Sequence, residues 1–149
     1  MTGIIDQQHP EQTSLIIPAL VFGSMLAHCR SDYPNEACGI LAGKDMIVSE
    51  LFMVTNTEKS PVSYLMDPKE QIKVMRELRD RTLQMLAIYH SHPNSEAYPS
   101  VNDLDMAYYE DAVHVIVSLA KSGSDVRSFS IKNGEVREVG IVVVSESQL

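Results

Sequence analysis

Apolar residues fall into two patterns along this chain: short unbroken runs, and stripes recurring every three or four positions. Runs suit buried strands, and stripes suit helices with one buried face. Residues 1–13 carry neither pattern and are expected to form a flexible N-terminal tail, with 14–149 as one folded domain. Pro18 is placed as the first-turn proline of a helix running to about Ser31, in which Leu20, Val21, Ser24, Met25 and His28 recur near helical spacing. Tyr33-Pro34-Asn35 turns the chain. Strands are expected at about 37–43 and 46–55, joined as a hairpin at Gly43-Lys44-Asp45. A loop from Asn56 to Pro61 leads to a short strand near Tyr64–Met66. Pro68 begins a second helix to about Thr82, with Ile72, Met75, Leu78 and Arg79 as its stripe. The run Leu83–Tyr89 suits a buried strand, and Pro93, which has no N–H to donate, should end its pairing. The polar stretch 93–99 reads as a loop, and Ser100 opens a helix to about Glu110. Strands follow at 114–119, 125–132 and 135–144, the last two turning at Asn133-Gly134. This order predicts a single α/β domain: a mixed, mostly antiparallel sheet flanked by helices.

Composition narrows the function classes. The 149 residues suffice for one domain burying about two-thirds of its unfolded surface. The formal charge is −8, and no run of Lys or Arg forms a basic patch, so nucleic acid is not an expected partner. No stretch approaches the length of apolar sequence that crosses a bilayer, so no membrane association is expected. The first residues carry Asp6 and Glu11, unlike a secretory signal, and the cytoplasm is the expected compartment. Cys29 and Cys38 belong to no Cys-x-x-Cys pair, which excludes a cysteine zinc site. Cys38 is expected as a small buried apolar residue rather than a thiol nucleophile.

The chemistry concentrates in His90-Ser91-His92 and Ser100-Val101-Asn102-Asp103. On a strand, residues i and i+2 point to one face, so His90 and His92 should project together as two ligands of one ion. Asp103, at a helix start, completes a two-histidine, one-carboxylate set. Catalytic zinc takes three protein ligands and keeps a place for water. Hydrolysis also needs a carboxylate that moves the water's proton to the leaving amine. Glu36, just ahead of the apolar run Cys38–Ala42, is the candidate. Each piece has a plainer reading. His-x-His alone is a weak signal, Glu36 alone is a loop acid, and Ser-x-x-Asp is an ordinary helix cap. The plainer readings explain the pieces but not their conjunction, and the cap is compatible with the site.

Glu36 with His90-x-His92-x7-Ser100-x-x-Asp103 resembles the motif of the JAMM (MPN+) metalloproteases at every position. Asn-Glu-Ala-Cys-Gly-Ile-Leu-Ala-Gly, His-Ser-His-Pro, Ala-Tyr-Pro-Ser-x-x-Asp and Val-Ile-Val-Ser-Leu at 115–119 extend the likeness over about residues 14–145. It looks most like the compact, stand-alone prokaryotic members. The resemblance implies the JAMM/MPN architecture, akin to the cytidine-deaminase-like core, and one Zn2+ per chain held by His90, His92 and Asp103. It implies Glu36 as general acid/base and Ser100 as a group stabilising the tetrahedral intermediate. It also implies a substrate: the peptide or isopeptide bond after the Gly-Gly tail of a ubiquitin-like or sulfur-carrier protein.

Two other functions compete. Two histidines and a carboxylate also make a non-haem iron oxygenase site, although oxygen activation has no need of Glu36. A non-catalytic MPN binding module would share the fold but lack the ligands. A deaminase is disfavoured, because its His-x-Glu and Pro-Cys-x-x-Cys signature is absent. Among other residues, His114 is expected at a rim or as a satisfied histidine, and His9 and His28 as exposed. Met46 and Met53 are candidates to face a partner. Asp105 should point away from Asp103, and Tyr98 either lines the cleft or lies exposed in its loop. The leaving-amine side of the site is expected to face solvent.

Overall fold

The computed structural model describes residues 14–121 and 125–149. Its elements are β1 (Leu15–Pro18), α1 (Ala19–Asp32), β2 (Cys38–Lys44), β3 (Ile47–Val54), α2 (Pro68–Asp80), β4 (Gln84–His92), α3 (Val101–Asp105), β5 (Val113–Ser118), β6 (Asp125–Lys132), β7 (Glu135–Val139) and β8 (Ile141–Val144). The strands form one sheet in the order β7-β6-β5-β4-β2-β3-β1-β8. Four of the neighbouring pairs are antiparallel, and three (β1 with β3, β1 with β8, β4 with β5) are parallel. The mixed, mostly antiparallel α/β sheet is therefore observed.

The period of two along the strands decides what each face carries. Odd-numbered residues of the central strands, among them Leu41, Ala87, Tyr89 and Val115, pack with Met25 and Cys29 of α1. Even-numbered Cys38, Ile40, Ala42 and Ile88 pack with Val74 and Leu78 of α2. Both faces of β2 and β4 are thus covered, and these strands are buried along nearly their whole length. Each fully buried Leu, Ile or Met side chain here contributes about 1.5–3 kcal/mol relative to exposure. α2 begins where expected. The Asp67 carboxylate accepts from the N–H groups of Lys69 and Glu70, and Pro68 follows it in the first turn.

Several expectations are corrected. Pro18 does not start the helix; it closes β1 and caps α1 with extended backbone, φ −61° and ψ 144°. Leu15-Ile16-Ile17 is rich in β-branched residues and pairs with β8 instead. The β2–β3 turn lies at Asp45-Met46, both with left-handed φ (53° and 65°), one step beyond Gly43-Lys44-Asp45. Near Tyr64–Met66 there is one bridge, Asn56 to Met66, rather than a strand. On α2 the buried positions are Val74 and Leu78, whereas Ile72 and Arg79 are exposed. α3 ends at Asp105, well short of Glu110. The expected strand 135–144 is two strands broken at Gly140: β7 pairs with β6, and β8 pairs with β1 at the other end of the sheet. One residue thus spans from the last strand of one end to the last strand of the other, and the Leu15 N–H donates to the Gly140 carbonyl at 2.9 Å. The sheet is curled until its ends meet. The expected tail, and His9 within it, lie outside the described residues.

Candidate metal centre

The site grows out of the β2–β4 pairing. Cys38 stands opposite His90 and Gly39 opposite Tyr89. The pairing continues beyond β2: the Ser91 N–H donates to the Ala37 carbonyl at 3.0 Å, and the Ala37 N–H donates to Ser91 Oγ at 2.8 Å. One further step brings Glu36 level with His92. Alternation then sends Glu36, His90 and His92 to one face and Ser91 and Tyr89 to the other. Pairing stops at His92, just before Pro93.

Asp103 arrives from the start of α3. Its Oδ2 accepts the Ser100 N–H at 2.9 Å, and Ser100 Oγ accepts the Asp103 N–H at 3.0 Å, a reciprocal capping box. The cap fixes the carboxylate in space, so the helix-start reading and the site reading describe the same geometry. His90 Nε2 lies 3.1 Å from His92 Nε2 and 3.2 Å from Asp103 Oδ2, and His92 Nε2 lies 3.0 Å from that oxygen. His90, His92 and Asp103 are 1%, 3% and 9% exposed. Among the described residues, this is the one group of three His, Cys, Asp or Glu side chains gathered closely enough to hold an ion. Tetrahedral zinc, with bonds of about 2.0–2.2 Å, sets its ligand atoms roughly 3.3–3.5 Å apart. The observed triangle is within a few tenths of an ångström of that.

The hydrogen bonds around the triangle prepare it for a cation. His92 Nδ1–H donates to the Glu96 carbonyl at 2.7 Å, which leaves the Nε2 lone pair to face inward. Burial pulls His92 down, but hydrogen bonds to Asp103 and the Glu96 carbonyl raise it overall. Burial also dominates at His90 and lowers it, despite Asp103. For Asp103, burial acts upward, but hydrogen bonds from His90, His92 and the Ser100 N–H hold it well below the usual carboxylate range. Tyr64 stacks on the His90 ring at 4.6 Å.

Glu36 is 3% exposed, and its Oε1 has no hydrogen-bond partner. Burial pushes its carboxyl up to about 8; His92 opposes the shift, and Asp103 and Glu58 add to it. Its backbone is pinned on both sides: its N–H donates to the Ser60 carbonyl at 2.8 Å, and its carbonyl accepts from Asn56 Nδ2 at 2.9 Å. A buried carboxyl that exchanges its proton near neutral pH, beside a cation-ready triangle, can carry a proton between water and a leaving group.

One recess adjoins Glu36 and a smaller one adjoins Tyr64. A cavity of about 520 Å³ borders Glu36 and is lined by His28, Asp32, Asn35, Met53 and Lys59 among others. A narrow one of about 80 Å³ is lined by Tyr64, Met66, Met106, Tyr109 and His114.

Other residues land differently from expectation. His114 is neither at a rim nor satisfied: it is buried on β5, its Nε2 has no partner, and burial with neighbouring His90 lowers it to about 4. His28 is not exposed. Its Nδ1 meets the Tyr89 hydroxyl at 2.6 Å, and Nε2 lies 3.5 Å from Asp32. Tyr98 is exposed in its loop, packing edge-on against Phe129 and under Arg127. Met46 is partly buried against the core, whereas Met53 is exposed. Both cysteines are buried and free, and burial pushes each thiol up to about 12, as an inert interior residue requires. Asn56 and Tyr64 support the site without a signal in the sequence, since both act from the irregular segment between β3 and α2.

Comparison with known proteins agrees with this geometry. The family model described as prokaryotic homologs of the JAB domain matches residues 18–132. The CysO-cysteine peptidase of Mycobacterium tuberculosis is 40% identical over 135 residues, covering 89% of this chain and 92% of that protein. A probable TtuB-protein conjugate cleaving protease of Thermus thermophilus is 33% identical over 132 residues, covering 87% and 83%. The solution structure of protein DSY2949 from Desulfitobacterium hafniense superposes with a TM-score of 0.80 at 34% identity, covering 88% and 93%. With its family match spanning most of the fold and its relatives spanning nearly all of it, the chain belongs to the prokaryotic JAB-domain family, of JAMM/MPN type, and is a peptidase.

Proposed function

We propose that this peptidase works with one zinc ion held by His90 Nε2, His92 Nε2 and Asp103 Oδ2. Its bond is the peptide or isopeptide link after the Gly-Gly tail of a ubiquitin-like or sulfur-carrier protein. The observation that carries the reading is the convergence of those three atoms beside the buried, unpartnered carboxyl of Glu36. Zinc in such a site lowers the pKa of bound water to about 7. Glu36 is placed to take a proton from the attacking water and to return it to the leaving nitrogen. Ser100 Oγ already accepts the Asp103 N–H, so its own hydrogen is free to donate to the substrate carbonyl oxygen as charge grows there. His92 stays oriented by Glu96, and Asp103 by the Ser100 N–H.

The substrate class is supported by relatives named for a CysO–cysteine bond and for TtuB–protein conjugates. The oxygenase reading gives Glu36 no task, and the relatives named here are peptidases. A binding module needs none of the three ligands. Among the described residues, no helix is long and apolar enough to cross a membrane. Two free, buried cysteines accord with a reducing compartment, and we place the enzyme in the cytoplasm.

The test pairs metal analysis with substrate. Purified protein should hold one zinc per chain, and Asp103→Asn should lose most of it. Tail-extended Gly-Gly carrier proteins, followed by mass spectrometry, should be trimmed to the terminal glycine, and replacing that glycine by alanine should block cleavage. Stoichiometric iron with oxygen-dependent turnover, or equal hydrolysis of arbitrary unfolded peptides, defeats the proposal.

A further inference from the structure

We propose that Asn56 is a positioning residue of the reaction: its carboxamide fixes the backbone of Glu36, and through it the carboxyl that moves the proton. The inference rests on the function above and deepens it by naming what holds the proton carrier in place.

Sheet register places the residue. Cys38 stands opposite Val54 on β3 and opposite His90 on β4. Two residues back along β2, the same registers set Glu36 level with Asn56 on one side and with His92 on the other. On the β4 side, Ala37 and Ser91 carry the pairing past the end of β2. On the other side β3 ends at Val54, and the Asn56 side chain takes over: its Nδ2 donates to the Glu36 carbonyl at 2.9 Å. The Glu36 N–H donates to the Ser60 carbonyl, four residues further along the same loop, at 2.8 Å. The general base thus sits where one flank is regular sheet and the other is a loop, and that loop decides where its backbone lies.

Asn56 is buried, and its carboxamide uses every hydrogen-bonding position it has. Besides Glu36, Nδ2 donates to the Ser63 carbonyl at 3.1 Å, and Oδ1 accepts the N–H groups of Glu58 and Leu65, each at 3.0 Å. Carbonyls on one side and N–H groups on the other leave one orientation for the amide. The Glu58 contact is a local turn, and those to Ser63 and Leu65 close the loop on itself. The contact to Glu36 leaves the loop and crosses 20 positions. Tyr64, between the two gripped residues, stacks on the His90 ring, so the loop that Asn56 closes is seated against the centre. None of the four hydrogen bonds ends on His90, His92 or Asp103. Asn56 can therefore govern Glu36 without touching the metal ligands. A displacement of about 1 Å in a reacting group can cost on the order of 100-fold in rate.

The test is Asn56→Asp, which keeps the acceptor oxygen for Glu58 and Leu65 but loses both donors. On a tail-extended Gly-Gly carrier, kcat should fall at least about tenfold with KM within about twofold, the pattern of an interaction used in the transition state. Metal analysis should still find one zinc per chain. Ser63→Ala is the control for loop stability: it removes the hydrogen bond from Ser63 Oγ to Glu58, 2.6 Å, and should keep kcat within about twofold. The double variant N56D/E36Q should be within about twofold of E36Q in single turnover, because no proton carrier is left to position. Amide exchange by NMR in metal-free protein gives the second readout. The Glu36 N–H should exchange at least about tenfold faster in N56D, while that of Ile88 on β4 is unchanged. If N56D does not fold, Asn56→Ser serves in its place, since its hydroxyl can keep the turn to Glu58 but is too short to reach Glu36. Loss of zinc, an equal kcat loss in S63A, the full N56D factor in the E36Q background, or unchanged exchange at Glu36 overturns the assignment of Asn56. An E36Q variant as fast as wild type overturns the proposed mechanism and this inference with it. A wild type that cleaves no such carrier defeats the proposed substrate, and the exchange of the Glu36 N–H then decides on Asn56.

Discussion

Glu36→Gln separates the electrostatics of the site from its chemistry, because it can be read in metal-free protein. The Glu36 carboxyl is 3% exposed, and one of its oxygens is unpartnered. Burial pushes it from its usual 4.5 to about 8. The folded state therefore keeps a proton that the unfolded state has already released. Between about pH 4.5 and 8 the native form binds more protons, and stability falls as pH rises through that window. Below it, both states are protonated and nothing is lost. At 1.36 kcal/mol per pKa unit, the penalty above pH 8 has a ceiling of about 5 kcal/mol. Solvent in the adjoining cavity would screen the charge, and a penalty of about 2 kcal/mol is taken for the test. Glutamine cannot ionise and escapes the penalty. Thermal unfolding in chelator at pH 5 and pH 9 measures it. The Tm difference, variant minus wild type, should grow by about 4–8 °C from the lower to the higher pH, at roughly 2–4 °C per kcal/mol for a domain of this size. The hydrogen bonds of His92 to Asp103 are common to both proteins, whereas Glu36→Gln also removes the charge that helps to raise His92. A difference that stays the same at the two pH values refutes the reasoning and leaves Glu36 an ordinary hydrated acid.

Two further outcomes follow from geometry. Ser100→Ala should keep its zinc, because the Ser100 N–H rather than its hydroxyl holds Asp103 Oδ2. It should lose roughly 100-fold in kcat, corresponding to about 3 kcal/mol for an oxyanion donor, and about 1 kcal/mol of stability for the cap. A lower Tm with unchanged kcat reduces Ser100 to a cap. Gly39→Ala should destabilise by about 1–3 kcal/mol in urea unfolding, because a Cβ there would clash with Cε2, Cζ and the hydroxyl of the fully buried Tyr89. That ring is also tied to His28 by its hydroxyl. Wild-type stability in this variant means that Tyr89 moves more freely than its packing indicates.

The parts of the centre legible in the sequence are those governed by local rules. Two histidines at i and i+2 on a strand face one way, and a serine three residues before an aspartate at a helix start caps it while fixing the carboxylate. The rest depends on residues distant in sequence. Asn56 organises the turn that holds Glu36, Tyr64 covers His90, and His114 lies under the site on β5, yet nothing near these residues signals it. In the fold, errors came where tertiary pairing overrode a local signal. Leu15-Ile16-Ile17 before Pro18 reads as the approach to a helix until β8 is there to pair with it. The apolar run 141–144 reads as a continuation of β7, because a one-residue break at Gly140 hardly disturbs the pattern of apolar residues.

That break at Gly140 also bears on the order of assembly. Register partners β1 and β8 are separated by nearly the whole chain, Leu15 facing Ile141, whereas β1 meets β3 through Ile16 and Ile47 alone. β1 must then wait for β8, which follows every other described strand in the chain. β2, β3 and β4, which present Glu36, His90 and His92, pair over much shorter separations. Loop-closure entropy favours these nearer contacts early. The two histidines can therefore be brought together in a nascent chain before the curled sheet is sealed, and closure by β8 becomes a late step of folding.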